Sequence, residues 1–197
     1  MTELRDLLTF HPGAPWTFLD VGFWLFLMGV LAIDGLMHKD KRRTLRHVWL
    51  LMASLLFYWK TSGWFVLILL FSTLSDYLIG HRIERSDRPG SRNRWLALSI
   101  LLNLGLLFYF KYTYFLTDAW NSATGWDIIP RNWLAMGANQ VLGTEWSVDR
   151  ILLPVGISFY TFQTISYTVD IHRGQVKALK RLSDFGFYVS FFPQLVA

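Results

Sequence analysis

The sequence predicts an all-α protein that crosses a membrane several times. Hydrophobic residues make up 53% of the 197-residue chain and aromatic residues 17%, and the mean hydropathy is +0.31. The apolar residues are gathered into long segments, and the basic residues are gathered between those segments. A soluble domain is typically less apolar and less aromatic, so this composition favours a polytopic, helical membrane protein.

Five apolar segments are predicted to be transmembrane helices, because a helix needs about 20 residues to span the hydrocarbon core. They cover about 16–37, 47–59, 63–80, 95–116 and 151–171, and a sixth begins at 184. The segment 47–59 is short for a full span. It is therefore predicted to be tilted, paired in a hairpin with the next segment, or buried among its neighbours. Together the segments predict a single membrane domain over residues 1–197.

Basic residues are concentrated in the three connections that follow the first, third and fifth segments. They are Lys39, Lys41, Arg42, Arg43 and Arg46; Arg82, Arg85, Arg88, Arg92 and Arg94; and Arg173, Lys177, Lys180 and Arg181. If the chain crosses at every segment, all three clusters fall on one side, which the positive-inside rule makes cytoplasmic. The N-terminus is then outward. This placement explains the net charge of +5 without nucleic acid as a partner.

Two stretches are predicted to lie outside or at the outer surface. The first fifteen residues lack the basic region and short apolar core of a cleavable signal peptide, so the first segment is predicted to be a retained helix. The connection 117–150 is the only long one, and it carries Trp120, Trp126, Trp133 and Trp146. These rings suit the membrane–water interface. A carbohydrate-stacking site is the alternative interpretation.

Polar residues within the segment 151–171 are the best candidates for function. Gln163, Tyr167 and Asp170 follow one another at spacings of four and three, which puts them on one helical face. In hydrocarbon such groups need partners or a water-filled cavity. Irregular backbone at membrane depth is tolerated where it lines a cavity. We therefore predict a substrate funnel lined by Pro154, Gly156, Ser158, Gln163, Tyr167 and Asp170, with a simple proline kink at a helix start as the alternative.

Other polar residues inside the segments have structural explanations. Asp20, Asp34 and Asp76 lie near segment ends, where a carboxylate reaches the interface or pairs with a basic residue. Asp76 is predicted to pair with Arg82 or to cap a helix rather than to take part in catalysis. Asn103 is predicted to be a helix-packing contact, since amide side chains hold membrane helices together.

Several kinds of chemistry are excluded or not indicated. The chain contains no cysteine, which excludes disulfides, thiolate catalysis and cysteine-bound metals. The sequence shows no metal-binding signature, phosphate-binding loop or nucleophile elbow, so no metal site is predicted. None of the histidines is predicted to be a catalytic base, because they precede the first helix or lie at charged boundaries. They are His11, His38, His47, His81 and His172.

Three motifs resemble the membrane-bound O-acyltransferase (MBOAT) family, in its AlgI-like branch. They are PVGISFYTFQ at 154–163, SYTVDIHRG at 166–174 and DFGFYVSFFPQLVA at 184–197, with weaker similarity at 71–80 and 103–115. The resemblance implies transfer of an acyl group, namely an acetyl group, from a cytoplasmic donor such as acetyl-CoA toward an exported polysaccharide such as alginate. It also implies a membrane-embedded histidine beyond Ala197. This chain is therefore expected to be the N-terminal part of an enzyme, to contain no catalytic residue and to be inactive alone.

The resemblance also implies a location and partners. It places the protein in the bacterial inner membrane, where the lipid bilayer, the acyl donor, a polysaccharide and an extracytoplasmic acetyltransferase are its implied partners. No tightly bound cofactor is implied. The basic loop from Arg173 to Arg181 would attract an anionic donor, although topology explains that loop as well. Two alternatives remain open: a lipid acyltransferase of another MBOAT branch, and a non-catalytic membrane scaffold or truncated remnant.

Overall fold

The computed structural model describes residues 19–38, 43–143 and 146–195. These residues form α-helices joined by turns and loops, and the described ranges contain no β-strand, so the predicted all-α class is confirmed. Some predictions fall on positions outside the described residues: those for the first fifteen residues, for the first three residues of the segment 16–37, and for Lys39, Lys41 and Arg42.

Nine α-helices are found among the described residues. They are α1 (Val21–His38), α2 (Arg43–Ser62), α3 (Val66–Arg85), α4 (Pro89–Leu107), α5 (Thr113–Thr124), α6 (Trp133–Leu142), α7 (Ile157–His172), α8 (Leu182–Ser190) and α9 (Phe192–Leu195). A 3-10 turn, Gly63–Phe65, joins α2 to α3, and a π-helical turn, Phe108–Tyr112, joins α4 to α5. The described residues divide into two compact units, one up to Asn103 together with Val155 onward, the other Leu104–Pro154.

In the first unit, α1 and α2 pack antiparallel. The rings of Phe23 on α1 and Phe57 on α2 lie 5.4 Å apart, and both side chains are buried. At the other end of the pair, Arg46 at the start of α2 donates a 2.8 Å hydrogen bond to Asp34 near the end of α1. Asp34 therefore pairs with a basic residue, as the sequence predicts.

The helices α2 and α3 form a hairpin that turns at Gly63. Gly63 has a φ of +57°, a left-handed conformation that glycine adopts without the steric cost of a Cβ atom. The start of α2 and the end of α3 meet the same short segment: His47 bonds Asp184 at 2.8 Å, and the Tyr77 hydroxyl donates to the Lys180 carbonyl at 2.9 Å. The two helices therefore run in opposite directions.

The helices α4 and α7 continue the up-and-down order. Asn103 near the end of α4 contacts Thr164, whereas Arg92 near its start donates to the carbonyl of His172 at 2.6 Å. Helix α7 therefore runs antiparallel to α4. Helix α8 returns alongside α2, with Asp184 opposite His47 and Gly186 against Leu51.

One end of this unit consequently gathers the basic clusters. The start of α2, the end of α3, the start of α4, the end of α7 and the start of α8 all lie there. Arg181 donates to the Thr44 hydroxyl at this end, and Arg82 lies 5.6 Å from the ring centroid of Trp95. The opposite end contains the Gly63 turn together with Val155 and Gly156, which precede α7.

The helices differ in extent from three of the predicted segments. Helix α2 has 20 residues, about 30 Å at 1.5 Å per residue, so it is longer than the predicted 47–59 and long enough to span. The predicted 95–116 corresponds to a 36-residue helical run, Pro89–Thr124. In the predicted 151–171, α7 begins only at Ile157, because the backbone is not helical through Pro154 and Gly156.

Two helical runs are long and apolar enough to cross a membrane, Thr44–Arg85 and Pro89–Thr124, and Val21–Met37 is a shorter apolar helix. The first run is the α2–α3 hairpin. Many large apolar side chains on these helices point away from the protein: Trp24, Leu25, Met28, Leu31, Phe71, Leu78 and Leu101 are each more than half exposed. Apolar surface of this kind is suited to contact with lipid.

The second unit contains α5, α6 and the segment that follows them. The Asn132 side chain accepts a hydrogen bond from the Ala135 amide and caps α6, and it also accepts one from the Tyr109 hydroxyl at 2.9 Å. The Tyr114 hydroxyl accepts from the amide of Ile151. Trp120, Trp126 and Trp133 are each more than half exposed, and this exposure fits both the interfacial and the carbohydrate-stacking interpretation.

Candidate functional site

The segment before α7 is held by close backbone contacts. Gly156 is the N-cap residue of α7 with a φ of +72°, and a Cβ atom at this position would lie 2.6 Å from the carbonyl oxygen of Leu195. Only glycine fits both the conformation and the space. The Tyr58 hydroxyl donates to the Val155 carbonyl at 2.9 Å. Pro154 itself is buried, and Val155 and Gly156 are half-buried.

The predicted polar face of α7 lies against α8 and the segment that precedes it. The Gln163 amide donates to the carbonyl of Tyr188 at 2.7 Å. The Tyr167 hydroxyl accepts from the amide of Leu179, and the Tyr167 ring lies 4.5 Å from that of Phe185. These two side chains therefore hold α8 and its approach segment onto α7.

The six predicted funnel residues are spread along α7 rather than collected at one point. Pro154 and Gly156 lie at the start of the helix, where Ser158 is half-buried. Tyr167 and the half-buried Asp170 lie toward the basic end. Tyr167 also approaches Gly80 of α3, where an added Cβ atom would lie 3.2 Å from its ring. The absence of a side chain at Gly80 lets α3 and α7 pack closely.

A second polar cluster, the Asp76 network, lies where α3, α4 and α7 meet. Asp76 is fully buried, and its two carboxylate oxygens accept hydrogen bonds from Ser99 at 2.6 Å and from the amide of Asn103 at 2.7 Å. The Asn103 carbonyl oxygen accepts from Ser72 and from Thr164, both at 3.0 Å. The network thus joins all three helices through hydrogen bonds between side chains.

The predicted pairing of Asp76 with Arg82, or its capping of a helix, is wrong. Asp76 neither reaches an interface nor pairs with Arg82, which stacks on Trp95 instead. The prediction for Asn103 as a helix-packing contact is confirmed by its bonds to Asp76 and Thr164. A signal for this network was present in the sequence, because Asp76 lies four residues after a serine on α3, as Asn103 does on α4. Equal spacings on adjacent antiparallel helices bring such side chains into register.

The face of α7 that points into the Asp76 network was also not predicted. Thr161, Thr164 and Thr168 are fully buried and lie three and four residues apart, on one face of the helix. The Thr168 hydroxyl lies 3.1 Å from that of Ser99. These three threonines are thus more deeply buried than Gln163 and Asp170, which are only partly buried.

Three of the histidines lie at the basic end of the first unit. His47 Nδ1 is 2.8 Å from a carboxylate oxygen of Asp184, and the ring stacks on Phe187. His172 Nε2 is 2.7 Å from the side-chain oxygen of Asn93. The ring of His81 lies 4.6 Å from that of Tyr77. His47 and His172 each contact another helix near a helix terminus, whereas His81 contacts Tyr77 on its own helix.

Apolar helices around a buried, hydrogen-bonded polar core, with two helical runs long and apolar enough to cross a membrane, are typical of a helical membrane protein. The relatives of the chain show which family of proteins it belongs to. The chain is 37% identical over 156 residues to the probable alginate O-acetylase AlgI of Pseudomonas aeruginosa, covering 77% of this chain and 27% of the relative. The corresponding protein of Pseudomonas syringae pv. tomato is 36% identical over 155 residues, with the same coverage.

A relative with a different name covers more of the chain. The peptidoglycan O-acetyltransferase of Helicobacter pylori is 28% identical over 206 residues, or 91% of this chain and 34% of the relative. No family model and no solved structure matches the chain. The curated relatives confirm the resemblance to the AlgI-like branch of the membrane-bound O-acyltransferases. The chain spans about a quarter to a third of the length of these relatives.

Proposed function

We propose that this chain is part of an O-acetyltransferase of the bacterial inner membrane that transfers acetyl groups toward an exported polysaccharide such as alginate. The observation that supports this proposal most directly is the 35–37% identity to four alginate O-acetylases over 77% of the chain. The histidine that the family uses for acyl transfer would be supplied by a region outside this sequence. This chain would supply helices that line the predicted substrate funnel.

The arrangement of charges supports a cytoplasmic donor. The basic clusters on α2, α3, α4 and α7 share one end of the first unit, and under the positive-inside rule that end faces the cytoplasm. The N-terminus would then face outward. An anionic thioester such as acetyl-CoA would approach Arg173, Lys177 and Lys180, all of which are exposed there. Long-range attraction of this kind raises the local concentration of a charged substrate.

The two polar clusters would have separate roles in this proposal. The Asp76 network would fix α3, α4 and α7 against one another. The funnel residues Gly156, Gln163 and Tyr167 would then lie on a helix with a fixed position. Acyl transfer is sensitive to such positioning because the reacting atoms must approach in a defined geometry. An extracytoplasmic acetyltransferase would be the partner that completes delivery to the polysaccharide.

Peptidoglycan is a second candidate acceptor. The Helicobacter pylori relative, named for peptidoglycan O-acetylation, matches 91% of the chain, against 77% for the alginate O-acetylases. Both acceptors are carbohydrates that carry free hydroxyl groups outside the cytoplasmic membrane. The chemistry of acetyl transfer to a hydroxyl is the same in the two cases.

Gene deletion with complementation tests the function and identifies the acceptor. Exported polysaccharide, peptidoglycan and lipid are purified from wild-type, deleted and complemented cells, and the alkali-labile acetyl in each fraction is measured. We expect the acetyl content of the exported polysaccharide to fall on deletion and to return on complementation. Loss from peptidoglycan alone would favour the second candidate. Loss from lipid alone, or no loss in any fraction, would refute the proposal.

A further inference from the structure

One face of α3 is exposed and apolar until it reaches the basic end of the first unit. The large apolar side chains on this face are 46–54% exposed and lie three or four residues apart. They are Leu67, Phe71, Leu74 and Leu78, which we call the α3 stripe. Arg82 and Arg85 continue the same spacing, and both are exposed. At about 100° per residue all six side chains fall within a sector of about 80°, so the α3 stripe ends directly in two arginines.

Helix α4 has a matching exposed face. Leu98 and Leu101, which we call the α4 stripe, are 39% and 70% exposed. Arg94 lies four residues before Leu98, within the same sector of about 60°, and is also exposed. The guanidinium of Arg82 lies 5.6 Å from the ring centroid of Trp95, the residue after Arg94, so the two arginine-bearing helix ends are adjacent. We refer to Arg82, Arg85 and Arg94 as the arginine group.

The charges around the arginine group favour an anionic partner. Glu84 is exposed, but it lies about 120° around the helix from the middle of the α3 stripe. Asp87 lies beyond the end of α3. Among the described residues, neither of these carboxylates nor any other forms an ion pair with the arginine group. Three guanidinium groups at one helix–helix junction are therefore available to an anion.

The length of the α3 stripe matches one leaflet of a bilayer. Arg82 and Phe71 are about 16 Å apart along the helix at 1.5 Å per residue, and half of a hydrocarbon core is about 15 Å thick. An acyl chain whose headgroup lies at the arginine group would extend along Leu78 and Leu74 to about the level of Phe71. A soluble anion would contact the arginines alone, whereas a phospholipid would contact both the arginines and the stripes.

We propose that this surface binds an anionic phospholipid, with the headgroup phosphate on the arginine group and the acyl chains on the α3 and α4 stripes. Guanidinium groups bind phosphate oxygens through pairs of parallel hydrogen bonds. A zwitterionic headgroup also carries an ammonium group, which these arginines would repel. The surface therefore distinguishes phosphatidylglycerol, with its single net negative charge, from phosphatidylcholine. Under the proposed topology the bound lipid is in the cytoplasmic leaflet, and its binding does not depend on acyl transfer.

Native mass spectrometry of the full-length protein, purified in detergent, tests the headgroup preference. The probes are dioleoyl phosphatidylglycerol and dioleoyl phosphatidylcholine, which differ only in the headgroup. Each arginine near an anionic lipid contributes about fivefold in affinity, so replacing the arginine group with glutamines should weaken binding of the first phosphatidylglycerol roughly 100-fold. Binding of phosphatidylcholine should not change. Arg131→Gln with Arg150→Gln, at two exposed arginines of the second unit, is the control and should keep wild-type affinity. Wild-type affinity for phosphatidylglycerol in the triple variant would overturn the proposal.

Photo-crosslinking of the wild-type protein locates the lipid and does not require the variants to fold. Phosphatidylglycerol or phosphatidylcholine with a diazirine in one acyl chain is irradiated with the full-length protein in bilayers of unlabelled phosphatidylcholine. Adducts are then mapped by mass spectrometry of peptides. We expect adducts on residues 71–78 and 98–101 to be roughly fivefold or more as frequent with the phosphatidylglycerol probe. Excess inorganic phosphate should not reduce them. Equal adducts from the two probes would overturn the proposal and leave an ordinary lipid contact, and loss with inorganic phosphate would overturn it in favour of a soluble anion.

Discussion

Replacing Asp76 with alanine would test whether the Asp76 network holds α3, α4 and α7 together. The substitution leaves the hydroxyl of Ser99 and the amide of Asn103 without their carboxylate partner in a fully buried site. An unpaired buried polar group costs about 1–3 kcal/mol, so two give about 2–6 kcal/mol. Both donors keep a weaker contact, Ser99 to Thr168 at 3.1 Å and Asn103 to a backbone carbonyl at 3.0 Å. We therefore expect the free energy of unfolding to fall by about 2–4 kcal/mol, the lower half of that range.

Chemical unfolding of the full-length protein in detergent, followed by circular dichroism, would measure this loss. Asp87→Ala is the matched control, because Asp87 is exposed and lies beyond the end of α3. Asp76→Asn is expected to fall between the two, since it keeps an acceptor for Ser99 but opposes two amide groups at Asn103. A free energy of unfolding for Asp76→Ala within about 0.5 kcal/mol of the control would refute the role of the network.

Three further predictions concern α7 and the basic end. Gly156→Ala should destabilise the protein more than Gly174→Ala in thermal unfolding. Both glycines have a positive φ, but only at Gly156 would the added Cβ atom lie against a backbone carbonyl. Equal losses of stability would contradict this close contact. Gln163→Ala and Asp170→Asn should lower acyl transfer without preventing membrane insertion, and wild-type turnover in both would remove the funnel assignment. Reversing the charges in 39–46 should change the orientation of the protein, and unchanged labelling of cysteines engineered into the loops would argue against the topology.

Hydropathy and charge predicted the helical class and most helix positions, because burial in lipid requires long apolar helices whatever their neighbours. Their ends were harder to predict. Helix α2 continues through the polar residues Lys60 and Thr61 and ends at Ser62. The change from apolar to polar residues after Trp59 ends the apolar segment of the sequence, but the helix continues past it. Lys60 is only 4% exposed, so tertiary packing outweighs the local preference for polar surroundings. At α7 the opposite holds, since the apolar residues before Gly156 are not helical.

The polar interior was predicted less well than the helices. Asp76 was predicted to pair with Arg82 or to cap a helix because it lies near the end of the apolar segment 63–80. Its actual partners, Ser99 and Asn103, come from the next helix. Which faces of two helices meet depends on their packing, and local periodicity does not specify it.

Labelled acetyl transfer across sealed vesicles would test the central proposal most directly. Inverted and right-side-out inner-membrane vesicles containing the full-length protein and its polysaccharide acceptor are given acetyl-CoA labelled in the acetyl group. If the basic end faces the cytoplasm and receives the donor, inverted vesicles should incorporate label into the polysaccharide enclosed in their lumen, and right-side-out vesicles should not. Incorporation only in right-side-out vesicles, or no incorporation dependent on the protein in either, would contradict the account.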